Sequence, residues 1–114
     1  MGGKKMKLGV ICDGISRNLL HAVDVMDEFG LQYAELQFVG DKEVGDHTKA
    51  EIVEIDALLR ARGKPVSCLS RHIFAGTSSA NRPGDALHCQ HMDALKRVIE
   101  MAHIVDAPLV RIMT

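Results

Sequence analysis

A chain of 114 residues has room for one domain with a modest core and not for two. Apolar residues make up 46% and charged residues 25%, an ordinary globular balance that excludes disorder. Net charge is −1 with lysines and arginines scattered, so no basic patch for nucleic acid is signalled.

The first six residues read as a flexible tail, and the amino-terminal basic cluster Lys4, Lys5 and Lys7 as solvated charge. Residues 7–114 read as the domain. Lys7 to Cys12 (KLGVIC) is a first strand, closed by the turn signal Asp13-Gly14. A helix is expected over Ser16 to Phe29, with Leu19, Val23 and Met26 on one face and Gly30 as its stop. Tyr33 to Val39 (YAELQFV) follows as a second strand. Side chains alternate along a strand, so Tyr33, Glu35 and Gln37 should point one way and Ala34, Leu36 and Phe38 the other.

A polar loop from Gly40 to His47 leads to a second helix, whose start carries the capping box Thr48…Glu51. Ile52, Ile55, Leu58 and Leu59 form its apolar stripe and Gly63 its end. Pro65 opens a third strand, Val66 to Ser70. The connection from Arg71 to Gly84 is rich in Gly, Ser, Asn and Pro and reads as loop. Asp85 caps a third helix with Leu95, Val98, Ile99, Ala102 and Val105 inward, and Leu109 to Met113 after Pro108 is a fourth strand.

The order βαβαβαβ predicts one parallel sheet in which sequence neighbours are sheet neighbours. Such a chain is either an open doubly wound sheet or part of a (β/α)8 barrel. A full barrel takes ~250 residues. Four strands in under half that length, with a stop at the end of a strand, read as a truncated half-barrel.

No apolar run approaches the ~20 residues of a membrane span, and the amino terminus lacks the apolar core of a signal peptide. Met6 stands where a myristoylation signal needs Ser or Thr. Cys12, Cys68 and Cys89 are odd in number and widely spaced, which fits reduced thiols and a cytoplasmic location.

In parallel α/β folds, ligands meet the carboxyl ends of the strands. That end collects Asp13, Gln37, the loop of Asp41, Lys42 and Glu43, then Arg71 and His72. Asp13 beside Gly14 reads more readily as a turn former than as a catalyst, and Lys42 and Glu43 as solvated charges. Glu35 and Arg111, on the second and fourth strands, either neutralise each other or face a substrate. His72, just past a strand end, is the best single candidate for a ligand or metal contact. His88 and His91 share a helix face with Cys89 and His103 nearby, but zinc needs three or four converging ligands. A polar helix face is the simpler reading. Neither G-x-G-x-x-G nor G-x-x-x-x-G-K-[ST] occurs.

The segments YAELQFVGDKEVGDHT, GKPVSCLSRHIFAG and HMDALKRVIEMAHIVDAPLVRIMT resemble the amino-terminal half of the sugar phosphate isomerase/epimerase family, the xylose-isomerase-like TIM barrels that share their fold with endonuclease IV. The resemblance runs from Lys7 onward. It implies an enzyme that moves a proton next to a sugar carbonyl, its substrate a sugar or sugar phosphate. It also implies a divalent metal (Mn, Mg, Co or Zn) in the full-length protein, with Glu, Asp, His and Glu ligands on strands five to eight. No metal or activity is then expected of residues 7–114 alone, and Glu35, His72 and Arg111 carry over as substrate-side positions. Two residues depart from the family pattern: Asp106 where a Gly usually ends the third helix, and Gly40 where an aromatic is frequent. The alternatives are a non-catalytic α/β binding module or a half-barrel homodimer. DNA repair of the endonuclease IV type is disfavoured by the lack of a basic surface, and a response-regulator receiver by Ser70-Arg71 where an acceptor Asp is required.

Overall fold

The computed structural model describes residues 6–78 and 80–113. All but Met6 of the expected tail, and Ser79 of the long connection, lie outside them. The elements are β1 (Gly9–Ile11), α1 (Leu19–Glu28), β2 (Tyr33–Leu36), β3 (Phe38–Val39), β4 (Lys42–Glu43), α2 (Lys49–Ala61), β5 (Val66–Ser70), α3 (Ala86–Val105) and β6 (Val110–Arg111). β1, β2, β5 and β6 form one parallel sheet in that order, so the fold is α/β with each neighbouring pair joined through a helix.

Capping chemistry sets the helix starts. Asn18 caps α1 by accepting the His21 N–H, so the helix starts at Leu19, three residues past the Ser16 start that periodicity suggests. Thr48 and Glu51 close the capping box of α2 from both sides. Asp85 accepts the His88 N–H at the start of α3. At the other ends, Gly30 and Gly63 turn left-handed at φ +69° and +66°. Asp106 does the same after α3 at φ +58°, so the departure from glycine there is absorbed locally by a residue type that tolerates this conformation.

Leu19, Val23 and Met26 of α1, Ile52, Ile55 and Leu59 of α2, and Val98, Ala102 and Val105 of α3 share one core with Ala34, Leu36 and Leu69 of the sheet. Leu58 packs at its margin. In α3 the expected inward Ile99 is 42% exposed, and Met101 with Ala94 fills the core in its place. The helices therefore pack on one sheet face. The register puts Ile11 opposite Glu35, Glu35 opposite Cys68, and Ser70 opposite Arg111, so these side chains share the other face. No helix among the described residues covers it. Ser67 interrupts the β2–β5 register, and its hydroxyl donates to the Ala34 carbonyl at 3.4 Å.

Three sequence boundaries are corrected. The first strand ends at Ile11, because Cys12–Gly14 winds into a single 3-10 turn. The fourth is confined to Val110–Arg111. The strand expected over Tyr33–Val39 stops at Leu36, and the chain re-enters an antiparallel hairpin, Phe38–Val39 with Lys42–Glu43, inside what reads as a polar loop. Gly40 makes the hairpin turn at φ +63°, where a side chain is strained.

Charge holds the amino-terminal side of the sheet. Lys64 bonds Asp27 at 2.7 Å and the Leu31 carbonyl at 2.9 Å, and Arg62 pairs with both Asp24 and Asp27. Lys64, then Arg62, holds the Asp27 carboxyl below its ordinary range. No helix of the described residues is long and apolar enough to cross a membrane.

Candidate functional site

The hairpin changes what sits at the carboxyl ends of the strands. It folds Glu43 back over the end of β5, where Oε2 lies 3.0 Å from Nδ1 of His72 and 3.3 Å from the His72 backbone N–H. Glu43 is only 16% exposed, so the reading of it as a solvated loop charge is overturned. Its second oxygen is 3.7 Å from Nε of Arg71, which is equally withdrawn from solvent. Arg71 extends on to Asp46 at 2.9 Å and the Val44 carbonyl at 2.8 Å. Arg97 of α3 meets the same Asp46 and the Gly45 carbonyl. Lys42 is not free either: it pairs with Glu51 at 2.6 Å.

Gln37, left between β2 and the hairpin, is nearly buried and places its amide nitrogen 3.1 and 3.2 Å from the two ring nitrogens of His72. A carboxylate only accepts, so Glu43 draws the imidazole proton to Nδ1 and leaves the Nε2 lone pair to the Gln37 amide. His72 remains half exposed. The site thus holds an imidazole with a carboxylate behind it, an amide beside it and solvent in front. That set suits proton transfer or hydroxyl recognition.

Glu35 and Arg111 share the open face, as expected, but do not pair. Glu35 Oε2 instead accepts the Ser70 hydroxyl at 2.5 Å, and Arg111 is exposed with no ion pair among the described residues. The physical reason is one of reach: β5 lies between their strands, and its buried Ser70 meets the carboxylate first. Burial, then the charges of Asp13 and Glu35, pushes the Cys12 thiol up to about 11, which keeps it protonated and removes it as a nucleophile. Asp13 lies within the 3-10 turn, and its carboxylate accepts a long 3.5 Å bond from the Phe38 N–H of the hairpin.

His88 and His91 do not serve a bare polar face. Each binds the preceding connection: His91 Nδ1 accepts the Phe74 N–H at 2.9 Å and His88 Nδ1 the Gly84 N–H at 3.1 Å. His103 is exposed. Among the described residues no group of three or more His, Cys, Asp or Glu side chains converges to hold a metal. The sequence placed Gln37 and Glu43 at this end of the sheet but assigned neither a contact with His72; the signal for that contact is the Val39-Gly40-Asp41-Lys42 turn, a hairpin pattern inside the polar stretch.

Comparison with protein families, with characterised proteins and with solved structures finds no match, so the chemistry of the site rests on its geometry.

Proposed function

We propose that the chain is the amino-terminal part of a sugar or sugar phosphate isomerase/epimerase built on a (β/α)8 barrel, in which His72 forms one wall of the sugar site. The observation that carries this reading is the Glu43–His72–Gln37 arrangement at the carboxyl end of a parallel sheet, where such folds bind ligands. The one-sided helix layer supports the barrel: a barrel wall carries its helices on one face only, whereas a doubly wound sheet carries them on both.

In this reading the Gln37 amide yields the Nε2 lone pair of neutral His72 to a sugar hydroxyl, Nε2 takes the proton, and Glu43 steadies the resulting imidazolium. Gln37 serves both states, because turning its amide over offers oxygen where nitrogen stood. Glu35 and Arg111 remain substrate-side positions on the open face. The resemblance implies a divalent metal, but the described residues do not form a site for one, and no step here passes through it.

The test is solvent-deuterium incorporation next to the carbonyl of aldoses, ketoses and their phosphates, using the polypeptide encoded by the whole reading frame. His72→Gln should lower exchange about 100-fold or more, the usual contribution of a general acid or base. Exchange that is undetectable across that panel, or unchanged in His72→Gln, overturns the reading.

A second reading is a binding module that dimerises through the open face, where Ile11 is 37% and Leu109 64% exposed. Light scattering behind size exclusion separates the two: a cooperative, monodisperse dimer of residues 1–114 supports the module, and a monomer rules it out.

A further inference from the structure

We propose that His88 and His91 form a proton-sensitive latch that fastens the β5–α3 connection to the first turns of α3. The two residues sit one helical turn apart and use the same atom for the same purpose. His91 Nδ1 accepts the Phe74 N–H at 2.9 Å, and His88 Nδ1 accepts the Gly84 N–H at 3.1 Å. The donor in each case is a backbone amide, which cannot reverse its role. Both imidazoles must therefore be neutral, with the proton on Nε2.

Two further features show that the latch works against resistance. Phe74 is held at φ +65°, a left-handed backbone that a side chain with a Cβ adopts only when its surroundings enforce it. Its ring lies against both imidazoles, with centroids 6.1 Å from His88 and 5.4 Å from His91. The Nε2 of His91 is buried with no hydrogen-bond partner, so nothing there would take up a positive charge on the ring.

A proton added at either Nδ1 replaces an acceptor with a donor facing an N–H, and the bond is lost. Among the described residues, Asp85 and Arg82 are the charged groups that the contacts place beside His88. Asp85 caps α3 through the His88 N–H, and Arg82 lines the same cavity of about 140 Å³ as Phe74 and His88. No ion pair reaches either imidazole among the described residues. The released connection starts two residues beyond His72, whose carbonyl accepts the Ala75 N–H at 3.2 Å.

Long-range nitrogen-15 spectra of the intact chain at pH 8 should show the Nε2–H tautomer at both residues. Between pH 8 and 5, exchange protection of the Phe74 and Gly84 amides, corrected for intrinsic rates, should fall at least tenfold, while that of Val98 in α3 holds. The double variant His88→Asn, His91→Asn offers a non-titrating oxygen near each Nδ1 position and should lose that pH dependence. An Nδ1–H tautomer at either residue, or Phe74 and Gly84 protection that is flat with pH, overturns the latch. Both readouts use the unmodified chain, so they decide the matter even where the variant fails to fold.

Discussion

Glu43 Oε2 lies 3.0 Å from His72 Nδ1 although 29 residues, with α2 and β5, separate them, and the β3–β4 hairpin folds Glu43 back to meet the ring. The carboxylate is mostly withdrawn from water and is shared with Arg71, so it orients the ring and neutralises a guanidinium at once. Glu43→Gln keeps an oxygen for the His72 N–H and should cost about 1 kcal/mol in urea unfolding; Glu43→Ala loses every bond and should cost about 1 to 3. The alanine variant should also lose the single Nδ1–H tautomer of His72 in nitrogen-15 spectra. A tautomer that survives in Glu43→Ala refutes the orienting role.

Gly45 fixes where this hairpin sits. Its φ is +96°, and a Cβ there would lie 2.8 Å from Val98 Cγ2 in the core of α3. Gly45→Ala combines backbone strain with overpacking and should destabilise by about 2 to 4 kcal/mol. Gly40, at φ +63° with nothing within 4 Å of the place an alanine methyl would take, is the control. Gly40→Ala should cost about 1 kcal/mol from strain alone. Equal losses at the two positions would show that contact with Val98 does not matter.

Acid should loosen the helix ends before it reaches the core. Lys42, then the Thr48 backbone, lowers the Glu51 carboxyl from 4.5 to about 2, and backbone bonds to His88 and Arg82 lower that of Asp85. A carboxyl depressed on folding adds stability that is present in full above its unfolded value and is lost as pH falls through its folded one. For Glu51 that window runs from about 4.5 down to about 2. Glu51→Gln removes the titrating carboxyl and should flatten the pH profile in this window. Thr48→Ala removes only the oxygen that accepts the Glu51 N–H and leaves Lys42 and the Thr48 N–H on the carboxylate. It should cost about 1 kcal/mol at pH 7 with the pH dependence kept. Thermal melts at pH 7, 4 and 2.5 measure both, and a Glu51→Gln profile parallel to that of the unmodified chain counts against Glu51 as the acid-sensitive group.

The face of α3 provides a direct contrast between two neighbouring apolar residues. Met101 is fully buried, whereas Ile99 is 42% exposed. Met101→Ala should cost about 2 to 5 kcal/mol and Ile99→Ala less than about 1, read as shifts in urea midpoint at constant slope. A larger loss at Ile99 would mean that α3 is rotated from the orientation described.

These elements also show what a sequence can carry. Thr48, Glu51, Asp85, Gly30 and Gly63 act through bonds to residues within one turn, so local spacing was enough to place the helices. The alternation in β2 was read correctly as far as Leu36. It failed at Gln37, because the antiparallel pairing of Phe38 with Glu43 is a tertiary choice that a run of β-formers does not declare. Ile99 and Met101 fit an apolar stripe about equally well, and only packing against the sheet and α2 separates them. His72 stood out as the residue after a strand end. Its partners did not, since Glu43 lies in a stretch that composition marks only as polar loop.

Glu35 carries the last prediction. On one sheet face, Ser70 donates to Glu35 at 2.5 Å while Arg111, across from Ser70, makes no ion pair among the described residues. A carboxylate that accepts a hydroxyl at this distance in a half-buried setting gains about 1.5 to 3 kcal/mol from that bond. A double-mutant cycle on Glu35→Gln and Ser70→Ala should therefore return a coupling of about 0.5 to 3 kcal/mol. The cycle on Glu35→Gln and Arg111→Ala should return no more than about 0.5 kcal/mol, the level of independent sites. Both are measured by urea unfolding of residues 1–114. A larger coupling to Arg111 than to Ser70 would restore the direct ion pair that the two strand positions suggest.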